Sequence, residues 1–204
     1  MHIAIVGNIG AGKTTLAQKL SHHFKWDLLL EAVEDNPYLK DFYEDMPRWA
    51  FHLQIYFLNS RFQQVKQINQ SSRTIIQDRT IYEDAYIFAR NLYQSGLMTQ
   101  RDYDNYIGIF QSIISMVKPP DLMIYLKADL PKLIERIEKR GRDYESNIRL
   151  DYLRHLNEHY ESWIKSYNLG KLLVIDVNKL DFVSKPEDLG LIINKIQVEL
   201  FGLF

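Results

Sequence analysis

Short unbroken apolar runs alternate along this chain with longer stretches in which apolar residues recur every three or four positions. The runs are typical of parallel strands covered on both faces, because they lack the alternation of a strand with one face in water. There are five of them, at residues 3–6, 28–30, 74–76, 122–126 and 172–175. Strands alternating with helices predict an α/β fold, a five-stranded parallel sheet flanked by helices with right-handed crossovers.

The helices are predicted from apolar residues that recur at helical spacing between the runs. Four clear periods lie within residues 16–24, 130–137, 153–167 and 189–200. Residues 49–68 are apolar on most sides, which indicates a helix that a partner element buries. Further helices are expected at 81–93 and 103–117. Because no repeat, low-complexity stretch or linker interrupts this order, we predict a single domain over residues 1–204.

Composition excludes several classes of protein. The chain has 204 residues, of which 46% are hydrophobic, no cysteine and a formal net charge of −1. It can therefore bury a core, and its balanced charge argues against sequence-independent nucleic-acid binding. The missing cysteines exclude disulfides and thiolate sites. The apolar start is too short for a signal peptide or a membrane span, so we expect a soluble cytoplasmic protein with no membrane or nucleic-acid partner.

The motif with the clearest chemistry follows the first apolar run and has the P-loop pattern Gly, four residues, Gly-Lys-Ser/Thr. Glycines let successive backbone N–H groups point at one anion, and the helix that follows adds its positive end. Lys13 is expected to reach the β- and γ-phosphates, and the Thr14 hydroxyl to ligate Mg²⁺. The pattern predicts ATP and Mg²⁺ as cofactors, with the nucleotide bound by Gly7, Asn8, Ile9, Gly10, Ala11, Gly12, Lys13, Thr14 and Thr15.

Glu31 stands at the carboxyl end of the second predicted strand. Ligands of parallel sheets gather beyond the carboxyl ends of the strands, so this carboxylate is expected to face the γ-phosphate. An acceptor hydroxyl loses its proton as phosphorus is attacked, and a nearby carboxylate can accept that proton. A helix N-cap or a surface charge is the alternative role for Glu31.

Asp78-Arg79-Thr80 directly follows the third predicted strand. Asp78 can hold the hydration shell of Mg²⁺, and Arg79 can clamp phosphate or carboxylate. The alternative is a buried ion pair that serves only the structure.

A cluster of basic residues lies where the helix from residue 130 stops at Gly141. Arginines beyond a helix end suit a lid that closes over a transferring phosphate, and we place this lid at about residues 136–147. A solvated helix end is the alternative. The cluster consists of Arg136, Lys139, Arg140 and Arg142.

With these residues in place, the whole chain resembles the deoxynucleoside kinase family. It is similar in particular to the bacterial deoxyadenosine and deoxyguanosine kinases, with the mammalian deoxycytidine and deoxyguanosine kinases as more distant relatives. Ala32 replaces the usual Pro of the family's Glu-Pro-Val-type segment, and Thr80 replaces Ser in its Asp/Glu-Arg-Ser motif; neither change removes a functional group. The other matching segments are Phe42-Tyr43-Glu44, Leu53-Gln54-Ile55-Tyr56, Arg140-Gly141-Arg142 and Glu145.

The resemblance implies transfer of the ATP γ-phosphate to the 5′-hydroxyl of a deoxynucleoside. It implies a catalytic set of Glu31 as base with Arg79, Lys13, Arg136 and Arg140, in which Arg79 orients the base and the 5′-oxygen. Arg140 and Arg142 also bind the nucleotide, and the metal is held by Thr14 and Asp78. The nucleoside is expected to contact Glu31, Tyr43, Gln54, Arg61, Arg79, Asp84, Phe88 and Glu145. Among these, Tyr43 and Glu145 hold the sugar 3′-hydroxyl. Gln54, Arg61 and Asp84 contact the base, and Phe88 stacks on it.

The choice of base is narrowed by Arg61 and Asp84, since family members that prefer thymidine replace that Asp by a small residue. The resemblance favours deoxyadenosine, while deoxyguanosine and deoxycytidine stay open. Family members pair helices in homodimers, and a homodimer is expected here too. Its candidate interface residues are Tyr82, Tyr86, Tyr152 and Tyr160.

Other functions fit parts of the sequence less well. A nucleoside monophosphate kinase, such as a thymidylate kinase, usually has an arginine where this chain has Leu30. Residues 178–181 match the Asn-Lys-x-Asp of GTPases, but Asp78 is followed three places later by Ile81, not by the glycine of a GTPase. Residues 155–159 match a His-x-x-Glu-His zinc peptidase pattern without a third ligand. A module that binds ATP without chemistry conflicts with the presence of Glu31 and Asp78.

Overall fold

The sheet in the computed structural model, which describes residues 1–31, 33 and 36–202, has five parallel strands in the order β2-β3-β1-β4-β5. Ile5 of β1 is in register with Asp78 of β3 on one side and with Ile124 of β4 on the other. The predicted α/β fold with a five-stranded parallel sheet is confirmed. The strands are β1 His2–Val6, β2 Asp27–Leu29, β3 Ile75–Asp78, β4 Leu122–Lys127 and β5 Lys171–Asp176.

Helices cover both faces of this sheet and follow the strands in the predicted alternation. The first half has α1 Lys13–Phe24, α2 Leu39–Glu44, α3 Met46–Gln70, α4 Ile81–Glu83, a π-helical segment Asp84–Ala89, and α5 Arg90–Gln94. The second half has α6 Gln100–Ile114, α7 Leu130–Arg140, a 3₁₀ segment Asp143–Asn147, α8 Leu150–Ser166 and α9 Pro186–Phe201. No helix among these residues is both long and apolar enough to cross a membrane.

Local sequence chemistry fixes several helix ends. The Asp45 carboxylate accepts the backbone N–H of Arg48 at 3.3 Å, and Pro47 lies in the first turn of α3, where its missing N–H has no partner to lose. Helix α7 ends at Gly141, whose φ of 64° is the left-handed conformation that glycine adopts without strain. The Gly141 cap ends α7 at Arg140, which lines the cavity described below.

The central strands are buried on both faces, as the unbroken apolar runs predict. Ile3 and Ile5 of β1 and Ile124 of β4 have no exposed surface. The same prediction is wrong for the two edge strands: β2 is only half-buried, and Val174 of β5 is 44% exposed. An edge strand has a neighbour on one side only, so the helices that pack on the sheet leave part of its surface in water.

The aromatic residues expected at a dimer interface are mostly part of the core, and this corrects the prediction. Tyr160 is fully buried and stacks on Tyr125, with ring centroids 5.9 Å apart. Tyr82 and Tyr152 are also buried within the chain, whereas Tyr86 is half-buried. The amphipathic rings of tyrosine allow either location, and the sequence does not distinguish them.

Candidate active site

A cavity of about 460 Å³ opens where β1, β2 and β3 end. Parallel sheets bind ligands at this edge because the loops after neighbouring strands meet there. The cavity brings together most of the predicted site residues from distant parts of the chain. Its lining includes Lys13, Thr14, Glu31, Tyr43, Gln54, Asp78, Arg79, Asp84, Phe88, Arg140, Arg142 and Glu145.

The P-loop has the geometry of an anion-binding turn. Gly10 and Gly12 have φ angles of 84° and 95°, which side-chain-bearing residues rarely adopt. A Cβ on Gly10 would lie 2.7 Å from the Leu133 carbonyl oxygen, so the loop also has no room for a side chain there. The Asn8 side-chain nitrogen donates to the Leu153 carbonyl oxygen at 3.2 Å, which ties the loop to α8. Thr15, also predicted to bind nucleotide, lies in the first turn of α1.

Lys13 lies beneath the loop and is buried. Its Nζ donates to the Asn8 carbonyl oxygen at 3.1 Å. Burial, reinforced by the nearby charge of Arg79, lowers the pKa of Lys13 to about 8, while Asp78 and Glu31 act in the opposite direction. An anion bound in the loop would restore the preference of Lys13 for the charged form.

Thr14 and Asp78, the two residues predicted to hold the metal, lie side by side at the cavity edge. The Thr14 hydroxyl donates to Asp78 Oδ2 at 2.5 Å. The other oxygen of Asp78, Oδ1, is buried and has no partner among the described residues. These hard oxygens fit Mg²⁺, which keeps several waters and takes only one or two protein ligands beside a nucleotide phosphate.

Glu31 is held between two arginines and is neither an N-cap nor a surface charge. Its Oε1 lies 3.0 Å from Arg61 Nη2 and 2.8 Å from Arg79 Nε. The Arg79 contact is an ion pair without a well-aligned hydrogen bond. Burial alone would raise the pKa of Glu31, but attraction to Arg79, Arg61 and Lys13 outweighs it and leaves the pKa below its usual value. The carboxylate is therefore ionised and able to accept a proton near neutral pH.

Arg79 has a strained backbone at the end of β3. Its φ of 70° lies in the left-handed region, which costs a side-chain-bearing residue roughly 1–3 kcal/mol. Its backbone N–H donates to the Ile5 carbonyl oxygen at 3.0 Å, and its guanidinium lies 4.2 Å from the centroid of the Phe88 ring. This conformation turns the side chain toward Glu31 and the cavity.

Arg61 lies one layer behind the cavity wall, which differs from the predicted contact with the base. It has no exposed surface, and its Nε donates to Asp84 Oδ2 at 3.2 Å. Its guanidinium thus pairs with both Asp84 and Glu31, which do line the cavity. Burial raises the pKa of Asp84 to about 6, against the attraction of Arg61 and Arg79.

Gln64 is a residue that the sequence analysis missed. Its Oε1 accepts from Arg61 Nη1 at 3.3 Å, and its Nε2 donates to the Leu30 carbonyl oxygen at 2.7 Å. It therefore restrains both the backbone before Glu31 and the arginine that pairs with Glu31. The sequence offers one indication, since Gln64 lies three residues after Arg61, next to it on the helix surface.

Residues predicted to bind the base and the sugar, Gln54 and Tyr43, both line the cavity. Gln54 is buried, and its Oε1 has no partner among the described residues, so it offers an acceptor to a ligand. Tyr43 stacks on Tyr144 of the 3₁₀ segment at 5.8 Å between ring centroids. This contact brings the predicted sugar-binding Tyr43 against the lid.

The lid arginines divide into two groups. Arg140 donates to Glu145 in two hydrogen bonds, and Arg142 Nη1 lies 3.6 Å from the same carboxylate. Arg136 lies apart from them and donates to the carbonyl oxygens of Ala11, Val177 and Leu180 at 2.9–3.3 Å. Its guanidinium braces the P-loop from the side, which differs from the predicted position over the transferring phosphate.

The Asn-Lys-x-Asp motif at residues 178–181 has a local structural role. The Asn178 side chain accepts the Asp129 backbone N–H at 2.8 Å, and Asp181 accepts that of Ser184 at 3.1 Å, so both stabilise loops. Across residues 1–31, 33 and 36–202, no cluster of three or more acidic or histidine side chains is arranged to hold a metal. Burial, with the charges of Arg90 and His155, lowers the pKa of His159.

The family model for deoxynucleoside kinases matches residues 3–200. The chain belongs to the deoxynucleoside kinase family. It is 46% identical to a deoxyadenosine kinase of Dictyostelium discoideum, over 93% of this chain and 76% of the relative. It is 37% identical to a deoxyadenosine/deoxycytidine kinase of Bacillus subtilis, over 95% and 90%. A deoxyadenosine kinase from M. mycoides with bound dATP superposes with a TM-score of 0.86 at 36% identity, covering 97% of this chain and 100% of that one.

The similarity confirms the P-loop kinase fold and kinase activity on deoxynucleosides, and it leaves the base open. Other relatives are named deoxyguanosine kinase and deoxycytidine kinase, at 31–36% identity. The M. mycoides deoxyadenosine kinase is itself known with the products dCMP and dCDP bound. The base that this deoxynucleoside kinase prefers therefore depends on the residues of its own cavity.

Proposed function

We propose that this deoxynucleoside kinase transfers the γ-phosphate of ATP to the 5′-hydroxyl of a purine deoxynucleoside, with deoxyadenosine as its main substrate. The observation that carries the proposal is the position of Glu31. Its ionised carboxylate shares one cavity with Lys13 of the P-loop and with Gln54, whose acceptor has no partner in the part of the chain that the structure describes. A nucleoside can thus reach a proton acceptor, the phosphate site and a polar base-binding wall together.

In the proposed reaction, Glu31 accepts the proton of the 5′-hydroxyl as that oxygen attacks the γ-phosphorus of ATP. The bond to the β-phosphate oxygen breaks, and ADP leaves with the electron pair. Arg79 holds Glu31 in place and remains near the attacking oxygen. Thr14 and Asp78 would hold Mg²⁺, which neutralises negative charge on the phosphates. Arg140 and Arg142 supply further positive charge from the lid.

The preference for adenine is proposed from hydrogen-bond complementarity. Gln54 has one acceptor and one donor group, and adenine presents an amino donor beside a ring acceptor. The carboxylate of Asp84 adds a second acceptor for an amino group. Thymine places a carbonyl oxygen where adenine and cytosine have the amino group, so it would leave these buried acceptors unpaired. Deoxyguanosine and deoxycytidine are the alternatives, in keeping with the names of several relatives.

The deciding experiment measures initial rates at one subsaturating concentration of deoxyadenosine, deoxyguanosine, deoxycytidine and thymidine. We expect deoxyadenosine to be fastest and thymidine slowest, by up to ~10⁴-fold where unpaired groups are buried. Ribonucleosides are also expected to be poor, since Tyr43 and Glu145 leave little room at the sugar edge. Thymidine as the best substrate would overturn the role of Asp84, and faster phosphorylation of dTMP than of any nucleoside would indicate a monophosphate kinase.

A homodimer and a cytoplasmic location are also proposed, from the resemblance and the sequence. Tyr82, Tyr152 and Tyr160 are buried within the chain. If residues 81–89 and helix α8 pair with a second copy, the contact would therefore use half-buried residues such as Tyr86 and Trp163. Light scattering at micromolar concentration tests the assembly. A mass near 24.2 kDa would show a monomer and remove the dimer proposal.

A further inference from the structure

Glu83 is a fully buried carboxylate beneath the candidate active site. Its Oε1 accepts the Gly7 backbone N–H at 3.2 Å and the Tyr160 hydroxyl at 2.7 Å. Its Oε2 accepts the Thr80 backbone N–H at 2.8 Å. The carboxylate does not line the cavity and has no direct route to substrate. Any role in the reaction must therefore pass through these three neighbours.

Two of the three donors belong to segments that carry site groups, and the third belongs to a helix behind them. Gly7 opens the P-loop, Thr80 follows Asp78 and Arg79, and Tyr160 lies on α8, the helix after the lid. One side chain thus connects the phosphate loop, the turn with the predicted metal ligand, and the helix behind both. Hydrogen bonds of this kind set the spacing between segments that are otherwise joined only through the sheet.

Helix capping accounts for only one of these three contacts. Thr80 and Glu83 form a capping box, in which each side chain bonds to the backbone N–H of the other. That box uses Oε2 alone. The bonds from Gly7 and Tyr160 to Oε1 add nothing to the cap, and the capping box leaves unexplained why an acidic group is fully buried at this point.

The strain at Arg79 gives the carboxylate a further purpose. Arg79 has a φ of 70° and is held on one side by its own N–H bond to the Ile5 carbonyl oxygen. The next N–H, that of Thr80, is held by Glu83. The left-handed residue is therefore fixed between β1 and Glu83, and its side chain is directed at Glu31, 2.8 Å away.

We propose that Glu83 is a positioning residue for phosphoryl transfer, which fixes Arg79 and Asp78 relative to the P-loop through the amides of Thr80 and Gly7. The proposal rests on the proposed phosphoryl transfer but not on the choice of base. A group misplaced by about 1 Å can reduce turnover by ~10²-fold, so small shifts of this turn matter to the rate. Nucleoside binding depends on other residues, such as Gln54, and is expected to be affected little.

The test is Glu83→Gln, which keeps the shape of the side chain but replaces one acceptor oxygen with an NH₂ donor. That donor must face the N–H of either Gly7 or Thr80, and the turn has to shift. We expect kcat to fall by roughly 10- to 100-fold. The nucleoside KM, and the nucleoside affinity measured by calorimetry without ATP, should stay within threefold. Rates are measured on whichever deoxynucleoside the wild-type enzyme phosphorylates fastest.

The matched control is Tyr160→Phe, which removes one bond to the same Oε1 and leaves the bonds to Gly7 and Thr80. Its kcat should stay within threefold of the wild-type value.

Wild-type kcat in Glu83→Gln would overturn the proposal. So would equal losses in Tyr160→Phe and Glu83→Gln, or a loss of nucleoside affinity that parallels the loss of kcat, since both indicate general loosening. A Glu83→Gln protein that fails to fold is replaced by Glu83→Asp, which keeps the charge but shortens the side chain by one methylene, so that its carboxylate no longer reaches the amides of both Gly7 and Thr80; the same split is expected. Failure of the proposed base preference is a separate result, visible in the wild-type enzyme alone.

Discussion

Arg140 and Glu145 are joined by two hydrogen bonds, from Nε to Oε2 at 3.0 Å and from Nη2 to Oε1 at 2.6 Å. Arg140 is proposed to stabilise the transferring phosphate, and Glu145 to hold the sugar 3′-hydroxyl. Within six residues of the lid, the pair therefore connects a group predicted to contact the phosphate of ATP with a group predicted to contact the sugar of the nucleoside. Charge-assisted pairs of this geometry are the strong ones, so a bound nucleoside that orders Glu145 also orders Arg140.

Replacing Arg140 by Ala is expected to lower kcat by about 10²-fold, because positive charge near a transferring phosphate stabilises the transition state more than the ground state. Nucleoside affinity should change only a few-fold, since Arg142 still lies 3.6 Å from Glu145. Steady-state kinetics with both substrates varied separate the two effects. A large loss of nucleoside affinity at unchanged kcat would place Arg140 in the substrate pocket instead.

Replacing Glu31 by Gln removes the proposed proton acceptor while keeping the size of the side chain. We expect kcat to fall by ~10²-fold or more, the usual scale for loss of general-base catalysis. Glu44→Gln is the control, because Glu44 is an exposed glutamate at the end of α2, outside the cavity, and should leave kcat unchanged. Turnover at the wild-type rate in Glu31→Gln would show that another group accepts the proton.

The parts of the site that could be predicted from the sequence are those that lie in one contiguous segment. The P-loop is such a segment, since its spacing alone determines where Lys13 and Thr14 lie relative to the turn. The location of Glu31 and Asp78 at the cavity can also be predicted, because each follows an apolar run that forms a strand and parallel strands end at one edge. Local pattern and topology are enough for these residues.

The parts that could not be predicted depend on which layer of the fold a side chain occupies. Arg61 is behind the cavity because α3 turns that face toward Asp84, and no local pattern distinguishes this from a direct contact with the base. Helix α2 is only six residues long, fewer than two turns, so its helical period does not repeat and leaves no pattern to detect. The π-helical segment that carries Asp84 and Phe88 into the cavity has no sequence signature, although such segments often occur at functional sites.

The pH dependence of the reaction should distinguish the role of Asp84 from that of Glu31. Burial raises the pKa of Asp84 to about 6, so in the free enzyme this group is charged above pH 6 and neutral below it. If the charged form accepts a hydrogen bond from the base, kcat/KM for the nucleoside will fall as the pH drops through about 6. The pKa of Glu31 is instead lowered, the attraction of its arginines outweighing burial, so kcat should stay flat over that range.

Asp84→Asn provides the control for this assignment, since it cannot titrate. Its kcat/KM should be lower than that of the wild type at pH 8 and should no longer decline near pH 6. Profiles measured from pH 5 to pH 9 with saturating ATP give both quantities. A decline that persists in Asp84→Asn, or a kcat that falls together with kcat/KM near pH 6, would contradict the assignment to Asp84.

The stability of the fold should depend strongly on Arg61, the buried cation between two carboxylates. Arg61→Met keeps the apolar part of the side chain but leaves Glu31 and Asp84 without their shared partner. The Arg61 side chain has no exposed surface, so water cannot easily replace it at this position. Breaking a buried pair by removing one partner costs about 3–5 kcal/mol in free energy of unfolding. Arg73→Met is the matched control, because Arg73 pairs with Asp27 at 2.9 Å on the surface, where ion pairs contribute about 0–1 kcal/mol. Urea unfolding of both variants at pH 7.5 measures the difference, and equal midpoints would show that the carboxylates find other partners or take up protons when Arg61 is lost.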